Sequence, residues 1–141
     1  MKNKPLLICA LAVLVMLLPG CTPATPTTSP EYSCDDFARQ NHITTSISAR
    51  TGGEFTVTLG ANPTTGYQWE DAVISDTSVL TETNHQSLGP EDENLVGAPG
   101  KDVWTFKALK PGSATISIAY SRPWEGGEKG TWTFTANVTV K

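Results

Sequence analysis

The stretch Phe55-Thr56-Val57-Thr58-Leu59-Gly60-Ala61-Asn62-Pro63-Thr64-Thr65-Gly66-Tyr67-Gln68-Trp69 decides the fold. Phe55, Val57 and Leu59 alternate with smaller or polar residues, and Tyr67 and Trp69 resume the alternation after a break. A period of two belongs to a strand half-buried against a core, because successive side chains point to opposite faces. The break is a turn whose shape is set by residue type. Pro63 locks its own φ and pushes Asn62 into extended backbone. Gly66 supplies a position where positive φ carries no steric cost. Thr64 and Thr65 between them are small, polar and β-branched, hence stiff at χ1. A rigid loop with two hydroxyls at its apex suits insertion into a narrow groove. The plainer alternative is a strand-to-strand turn with no further task.

The same period runs through the rest of the chain from Ile43 onward. Ile43, Thr45 and Ile47 alternate before a Gly52-Gly53 turn. Val79 and Leu80 follow a bend at Asp76 and Ser78, and the polar stretch from Thr81 to Asn94 reads as a weak strand running into a loop. Trp104, Phe106 and Ala108 form a strand stopped by Lys110-Pro111-Gly112, a strong turn signal. Ala114, Ile116, Ile118 and Tyr120 alternate cleanly, as do Trp132, Phe134, Ala136, Val138 and Val140. About seven short strands with no useful helical period predict an all-β domain, an immunoglobulin-like antiparallel β-sandwich. The segment from Glu31 to Asn41 reads as one irregular turn or a short helix after Ser33.

The N-terminus is of a different kind. Lys2 and Lys4 precede a nearly unbroken apolar run from Leu6 to Leu18. That run is too short for a comfortable membrane span and has the layout of an export signal. Leu18-Pro19-Gly20-Cys21 resembles the lipobox of bacterial lipoproteins, in which the cysteine becomes the lipidated first residue, although Pro19 is an unusual choice there. A plain secretory signal and a retained membrane anchor are the alternatives. Residues 1–20 are therefore read as the signal, 21–41 as a lipid-anchored tether and 42–141 as the folded domain. Three prolines among small polar residues, Pro23, Pro26 and Pro30, make the start of the tether extended and solvated. The expected location is the cell envelope, on the outer face of a membrane, held by lipid at Cys21, or secretion where the lipobox is not used.

Charge and cysteine content exclude several functions. The full chain has a net charge of −4, and without Lys2 and Lys4 eight basic residues face fourteen acidic ones, a net of −6. An acidic exported domain has no electrostatic footprint for nucleic acid. Cys9 falls in the signal and Cys21 at the lipobox, so Cys34 is left as a lone thiol without an intramolecular partner. Hydrolytic catalysis needs a nucleophile–base pair or two positioned carboxylates. The two histidines, His42 and His85, lie in polar stretches expected to be exposed, so no enzyme is indicated. The acidic run Glu91-Asp92-Glu93 lacks a third oxygen cluster or a histidine and reads as a solvated rim, so no metal or other cofactor is expected. The expected state is a monomer.

In a sandwich, alternate loops gather at one end. The loops after the second, fourth and sixth predicted strands are Asn62 to Gly66, Gly89 to Lys101 and Ser121 to Gly130. The second ends Val96-Gly97-Ala98-Pro99-Gly100, whose small residues leave backbone open to a partner chain. The third carries Arg122-Pro123-Trp124, and a tryptophan and an arginine on a stiff loop have the composition of an interface hot spot. Trp124 folded back over the sandwich end is the alternative.

With these three loops in order, residues 43–140 resemble the chagasin family of cysteine peptidase inhibitors, the I42 group. The family patterns are Asn-Pro-Thr-Thr-Gly-aromatic, Gly-x-Gly-Gly and Arg-Pro-Trp/Phe. The first is matched at Asn62, Pro63, Thr64, Thr65, Gly66 and Tyr67, and the third at Arg122, Pro123 and Trp124. The second is matched in part, because Pro99 stands where glycine is usual and removes one backbone N–H. The resemblance implies reversible, non-covalent blockage of papain-like cysteine peptidases, with Gly97, Ala98, Pro99 and Gly100 along the unprimed side of the cleft. It also places Thr64 and Thr65 near the peptidase's catalytic pair and Trp124 on the primed side. A lipid-anchored adhesion or carbohydrate-binding module explains the anchor, the sandwich and an exposed Trp124, but not two threonines on a locked loop.

Overall fold

The computed structural model describes residues 27–90 and 97–141. The signal, Cys21, most of the proline-rich tether, the acidic run and Val96 lie outside the described residues. A short strand, Glu31–Tyr32 (β1), leads into a helix, Cys34–Arg39 (α1). Strands follow at His42–Ala49 (β2), Glu54–Ala61 (β3), Gln68–Trp69 (β4) and Val73–Ile74 (β5). The remaining strands are Leu80–Leu88 (β6), Gly100–Ala108 (β7), Gly112–Ser121 (β8) and Trp132–Val140 (β9). They form two sheets, ordered β1-β3-β7-β6 and β2-β9-β8-β4, with β5 also pairing with β8.

The all-β reading is observed, with two refinements. Nine strands are seen among the described residues, because β1 joins the first sheet and the run from Tyr67 to Ile74 divides into β4 and β5. Two pairings, β1 with β3 and β2 with β9, are parallel, so the sheets are mixed. The β2–β9 pairing follows from the Gly52-Gly53 turn, which sends the chain to the opposite sheet and leaves β2 an edge. The last strand then joins that edge in the same direction, and the ends are tied by Lys141 N–H to Ala49 O at 3.0 Å.

The alternating residues supply one core. Phe55, Val57 and Leu59 of β3, Trp104 and Phe106 of β7, Ile116 and Ile118 of β8, and Phe134 and Val138 of β9 are all buried. Their intervening Thr and Ser residues coat the outer faces. Apolar area removed from water at about 25 cal/mol per Å² is the main stabilising term for such a domain, which has no disulfide among the described residues.

The boundary of the folded part differs from expectation. Residues 29–41, assigned to the tether, are part of the sandwich. Thr56 N–H donates to Ser29 Oγ at 3.2 Å, and Thr58 N–H donates to Pro30 O at 3.0 Å. Ser33 caps α1: its Oγ accepts from Asp36 N–H, while Asp36 Oδ2 accepts from Ser33 N–H at 2.8 Å. Phe37 from this helix is fully buried, 5.0 Å from the Trp69 ring and stacked on Trp132 at 5.3 Å. Gly60 makes the approach possible, since a Cβ there would sit 2.4 Å from Cys34 N. Six residues are too few to show a helical period, so only the packing reveals the helix as structural.

Replacing Phe37 by Ala is expected to lower unfolding free energy by about 3–5 kcal/mol, the cost of emptying a buried aromatic site. Urea denaturation followed by tryptophan fluorescence measures it, and a loss under about 1 kcal/mol would return the segment to the tether.

Candidate functional site

The first loop is built on Asn62. Its backbone is extended, and a 3-10 turn over Pro63–Thr65 follows, closed by Gly66 at φ +78°. Asn62 Oδ1 accepts from Thr64 N–H at 3.2 Å and from Thr64 Oγ1 at 2.6 Å. Asn62 O accepts from Thr65 Oγ1 at 2.6 Å. The two apex hydroxyls therefore donate back into the turn. The exposed tip carries a backbone already hydrogen-bonded to itself.

The core fastens this turn from beneath. Tyr120, the last inward residue of the β8 alternation, is 2 % exposed. Its hydroxyl accepts from Asn62 N–H at 2.9 Å and lies 3.3 Å from Asn62 O, to which it donates. Its ring stacks on Trp132 at 4.8 Å and on Tyr67 at 5.6 Å. Burial pushes the Tyr120 phenol up, so it stays a neutral donor and acceptor.

Among the described residues the second loop meets the first through a bond from Asn62 Nδ2 to Gly97 O at 3.2 Å. An aspartate at 62 would lack this donor. Gly97 has φ +80°, with nothing among the described residues within 4 Å of a Cβ placed there, while Ala98 is half-buried and Pro99 exposed. Gly100 behaves differently: a Cβ there would fall 2.2 Å from Leu88 O. Its bareness serves the chain's own β6–β7 approach, so of the two glycines read as open backbone, Gly97 alone is uncovered by the described residues. At the loop stems, buried Asp102 accepts from the Ser87 hydroxyl and lies 3.0 Å from His85 Nε2, whose ring stacks on Trp104 at 4.4 Å. His85 is exposed, as its polar surroundings in sequence predict, with one ring face laid on Trp104. Asp102 sits between Ser87 and His85, so no serine–histidine pair forms there.

The third loop closes over the first. Arg122 lies with its guanidinium carbon 4.6 Å from the Tyr67 ring centre and 5.7 Å from that of Trp124. Trp124 is 51 % exposed, so it does not fold into the core, and a Cβ on Gly66 would lie 3.0 Å from its Cη2. Glu128 Oε2 accepts from the Tyr67 hydroxyl, and Glu128 O accepts from Arg122 N–H at 2.8 Å. The Tyr67 bond holds the Glu128 carboxyl below its usual range. All three predicted loops thus share one end, with Pro63, Thr64, Thr65, Pro123 and Trp124 exposed at it.

Two connecting residues escaped the sequence reading. Tyr120 was legible as inward-facing but not as the anchor of Asn62, and Glu128 carries no local signal at all. Beside the first loop a cleft of about 300 Å³ is lined by Cys34, Ala38, Asn62, Thr65, Tyr120 and Trp132 among others. Burial, then the charge of Asp35, push the Cys34 thiol up, which keeps it protonated and a poor nucleophile. Among the described residues no cluster of His, Cys, Asp and Glu is placed to hold a metal ion.

Comparison with known proteins gives a consistent set of likenesses. The profile of a family described as chagasin family peptidase inhibitor I42 matches residues 48–138. Amoebiasin-2 of Entamoeba histolytica is 34 % identical over 85 residues, which cover 60 % of this chain and 68 % of the relative. The crystal structure of the cysteine protease inhibitor EhICP2 from Entamoeba histolytica aligns with TM-score 0.57 at 30 % identity, over 73 % of this chain and 90 % of that one. The structure of PbICP-C in complex with falcipain-2 aligns with TM-score 0.58 at 22 % identity, over 72 % and 90 %, a likeness of fold.

Gly66→Ala is expected to strain the turn by about 1–2 kcal/mol, the cost of the left-handed region for a residue with a Cβ. It should also displace Trp124, seen as a shift in its fluorescence in a variant where Trp124 is tagged by 5-fluorotryptophan. An unshifted Trp124 signal would mean that the two loops do not touch in solution.

Proposed function

The chain belongs to the chagasin family of I42 peptidase inhibitors, and we propose that it is a reversible, non-covalent, tight-binding inhibitor of papain-like cysteine peptidases that inserts its three loops into the catalytic cleft. The family is one of inhibitors, not enzymes. The observation that carries the finer reading is the meeting of the loops: Asn62 bonded to Gly97, and Trp124 laid against Gly66.

The turn over Pro63–Thr65 would enter the cleft beside the peptidase cysteine. Thiolate attack needs an extended peptide whose carbonyl oxygen can enter an oxyanion hole in near-attack geometry. Here Asn62 O is occupied by Thr65 Oγ1, and Pro63 O accepts from Gly66 N–H at 3.2 Å. Those two carbonyls are turned into the loop, so the bonds that follow Asn62 and Pro63 would fill the cleft without being presented for attack. Because the threonine hydroxyls are already satisfied, burying the tip leaves no new unpaired donor. Trp124, exposed and backed by Arg122, would supply apolar area on one side of the tip, and Gly97 with Ala98 and Pro99 on the other. Loops held by Pro63, Pro123 and internal hydrogen bonds lose little freedom on docking. A contact of roughly 1,600 Å² in total would be expected for such a mode.

We read Cys21 as a lipid attachment site, which would display the inhibitor from the outer face of an envelope membrane through the proline-rich stretch that follows. Metabolic labelling with an alkyne palmitate should tag the wild-type chain and leave Cys21→Ala untagged; equal labelling of both would overturn the anchor.

Titrating the purified domain into papain with a fluorogenic substrate should give stoichiometric, reversible loss of rate. Trp124→Ala should weaken inhibition by about 2 kcal/mol or more, roughly thirtyfold in the inhibition constant, with an unchanged melting temperature. No inhibition of papain or of a cathepsin L-like enzyme at micromolar concentration would favour the adhesion module instead.

A further inference from the structure

Glu128 lies outside the three signature stretches, on the return half of the third loop, yet it touches both the first loop and the start of the third. Its side chain receives the Tyr67 hydroxyl of the first loop, and its backbone oxygen receives Arg122 N–H of the third at 2.8 Å. Tyr67 is in turn the shared platform. One face stacks on Tyr120 at 5.6 Å with an interplanar angle of 21°, and Arg122 sits over the ring 4.6 Å from its centre. The same guanidinium faces Trp124. The ring is therefore held on its faces by stacking and at its far end by the Glu128 carboxylate. Stacking alone is tolerant of sliding and rotation, whereas a hydrogen bond to a charged acceptor is directional and roughly twice as strong as a neutral one.

We propose that Glu128 is a positioning residue of the binding end: by anchoring the Tyr67 hydroxyl it sets the spacing between the Thr64-Thr65 tip and the Trp124 indole. The inference rests on the reading that these loops engage a peptidase. Glu128 is exposed, and an exposed polar contact contributes little to global stability. Its effect is thus expected in loop geometry and inhibition, with the fold left intact. Lys129 Nζ, 2.6 Å from Arg122 O, and Gly130 N–H, 2.9 Å from Ser121 Oγ, fasten the same return segment to the stem of the third loop, so Glu128 has a fixed base from which to hold Tyr67.

The experiment compares wild type, Glu128→Ala, Tyr67→Phe, the double variant and Glu128→Gln, which keeps an acceptor oxygen. In the free proteins, proton NMR reads the ring-current shift of the Gly66 α-protons and their cross-peak to the Trp124 indole. Both should diminish in Glu128→Ala and in Tyr67→Phe, and persist in Glu128→Gln. Against papain, each of the first two should weaken inhibition about tenfold, and the double variant no further, the mark of two groups acting as one unit. Unchanged Gly66–Trp124 signals in both single variants would overturn the proposal whatever the inhibition data. Changed signals with an unaltered inhibition constant, or losses that follow the melting temperature in every variant, would equally overturn it. A wild type that inhibits neither papain nor a cathepsin L-like enzyme would sink the peptidase reading, and the NMR comparison would still decide whether Glu128 sets the loop spacing.

Discussion

The phenol of Tyr120 joins the core of this protein to its exposed end. Its ring is packed among Trp69, Trp132 and Tyr67, and its hydroxyl is spent on both backbone groups of Asn62. A chain of aromatic contacts runs from Phe37 through Trp69 and Trp132 to Tyr120, then through Tyr67 and Arg122 to Trp124. Buried at one end and exposed at the other, this column gives the loop tips the rigidity of the interior. A hydrogen-bonding group at the top of a close-packed stack cannot shift without moving everything below it.

Asn62 is the counterpart on the loop side. Its side chain accepts from Thr64, donates to Gly97 O, and its backbone is held by Tyr120 and Thr65. Each of these bonds could be made alone by another residue type, but an amide is needed to donate toward one loop while accepting from another. The turn is thus complete before any partner arrives. For the proposed inhibition this would favour affinity, since the ordering cost falls on folding instead of association. In the proposed mode the same bonds would oppose cleavage, because a carbonyl committed to an internal donor is not free to be polarised by an enzyme.

The second loop is fastened differently, from its stems. Asp102 is buried beside Ser87 and His85, on paired positions of β6 and β7. A buried carboxylate is tolerable only where donors meet it, and these two come from the opposite strand. Gly100 permits the close approach by leaving room for Leu88 O. Two glycines with the same appearance in sequence therefore have separate duties, one within the sheet and one at the surface.

The alternation of Phe55, Val57 and Leu59, of Ala114 through Tyr120, and of Trp132 through Val140 determined the sandwich, because burial on one face imposes a period of two that residue types record directly. The Asn62–Gly66 turn was legible for the same kind of local reason: Pro63 and Gly66 restrict the backbone whatever surrounds them. The parallel pairing of β2 with β9, the docking of Phe37, the inward turn of the Thr64 and Thr65 hydroxyls, the private role of Gly100 and the tie from Glu128 to Tyr67 were decided only by tertiary structure. The threonine hydroxyls are a local case, bonding to Asn62 two and three residues away by a choice of rotamer that residue type leaves open; the others join residues distant in the chain, and neither periodicity nor turn chemistry carries information across such a separation.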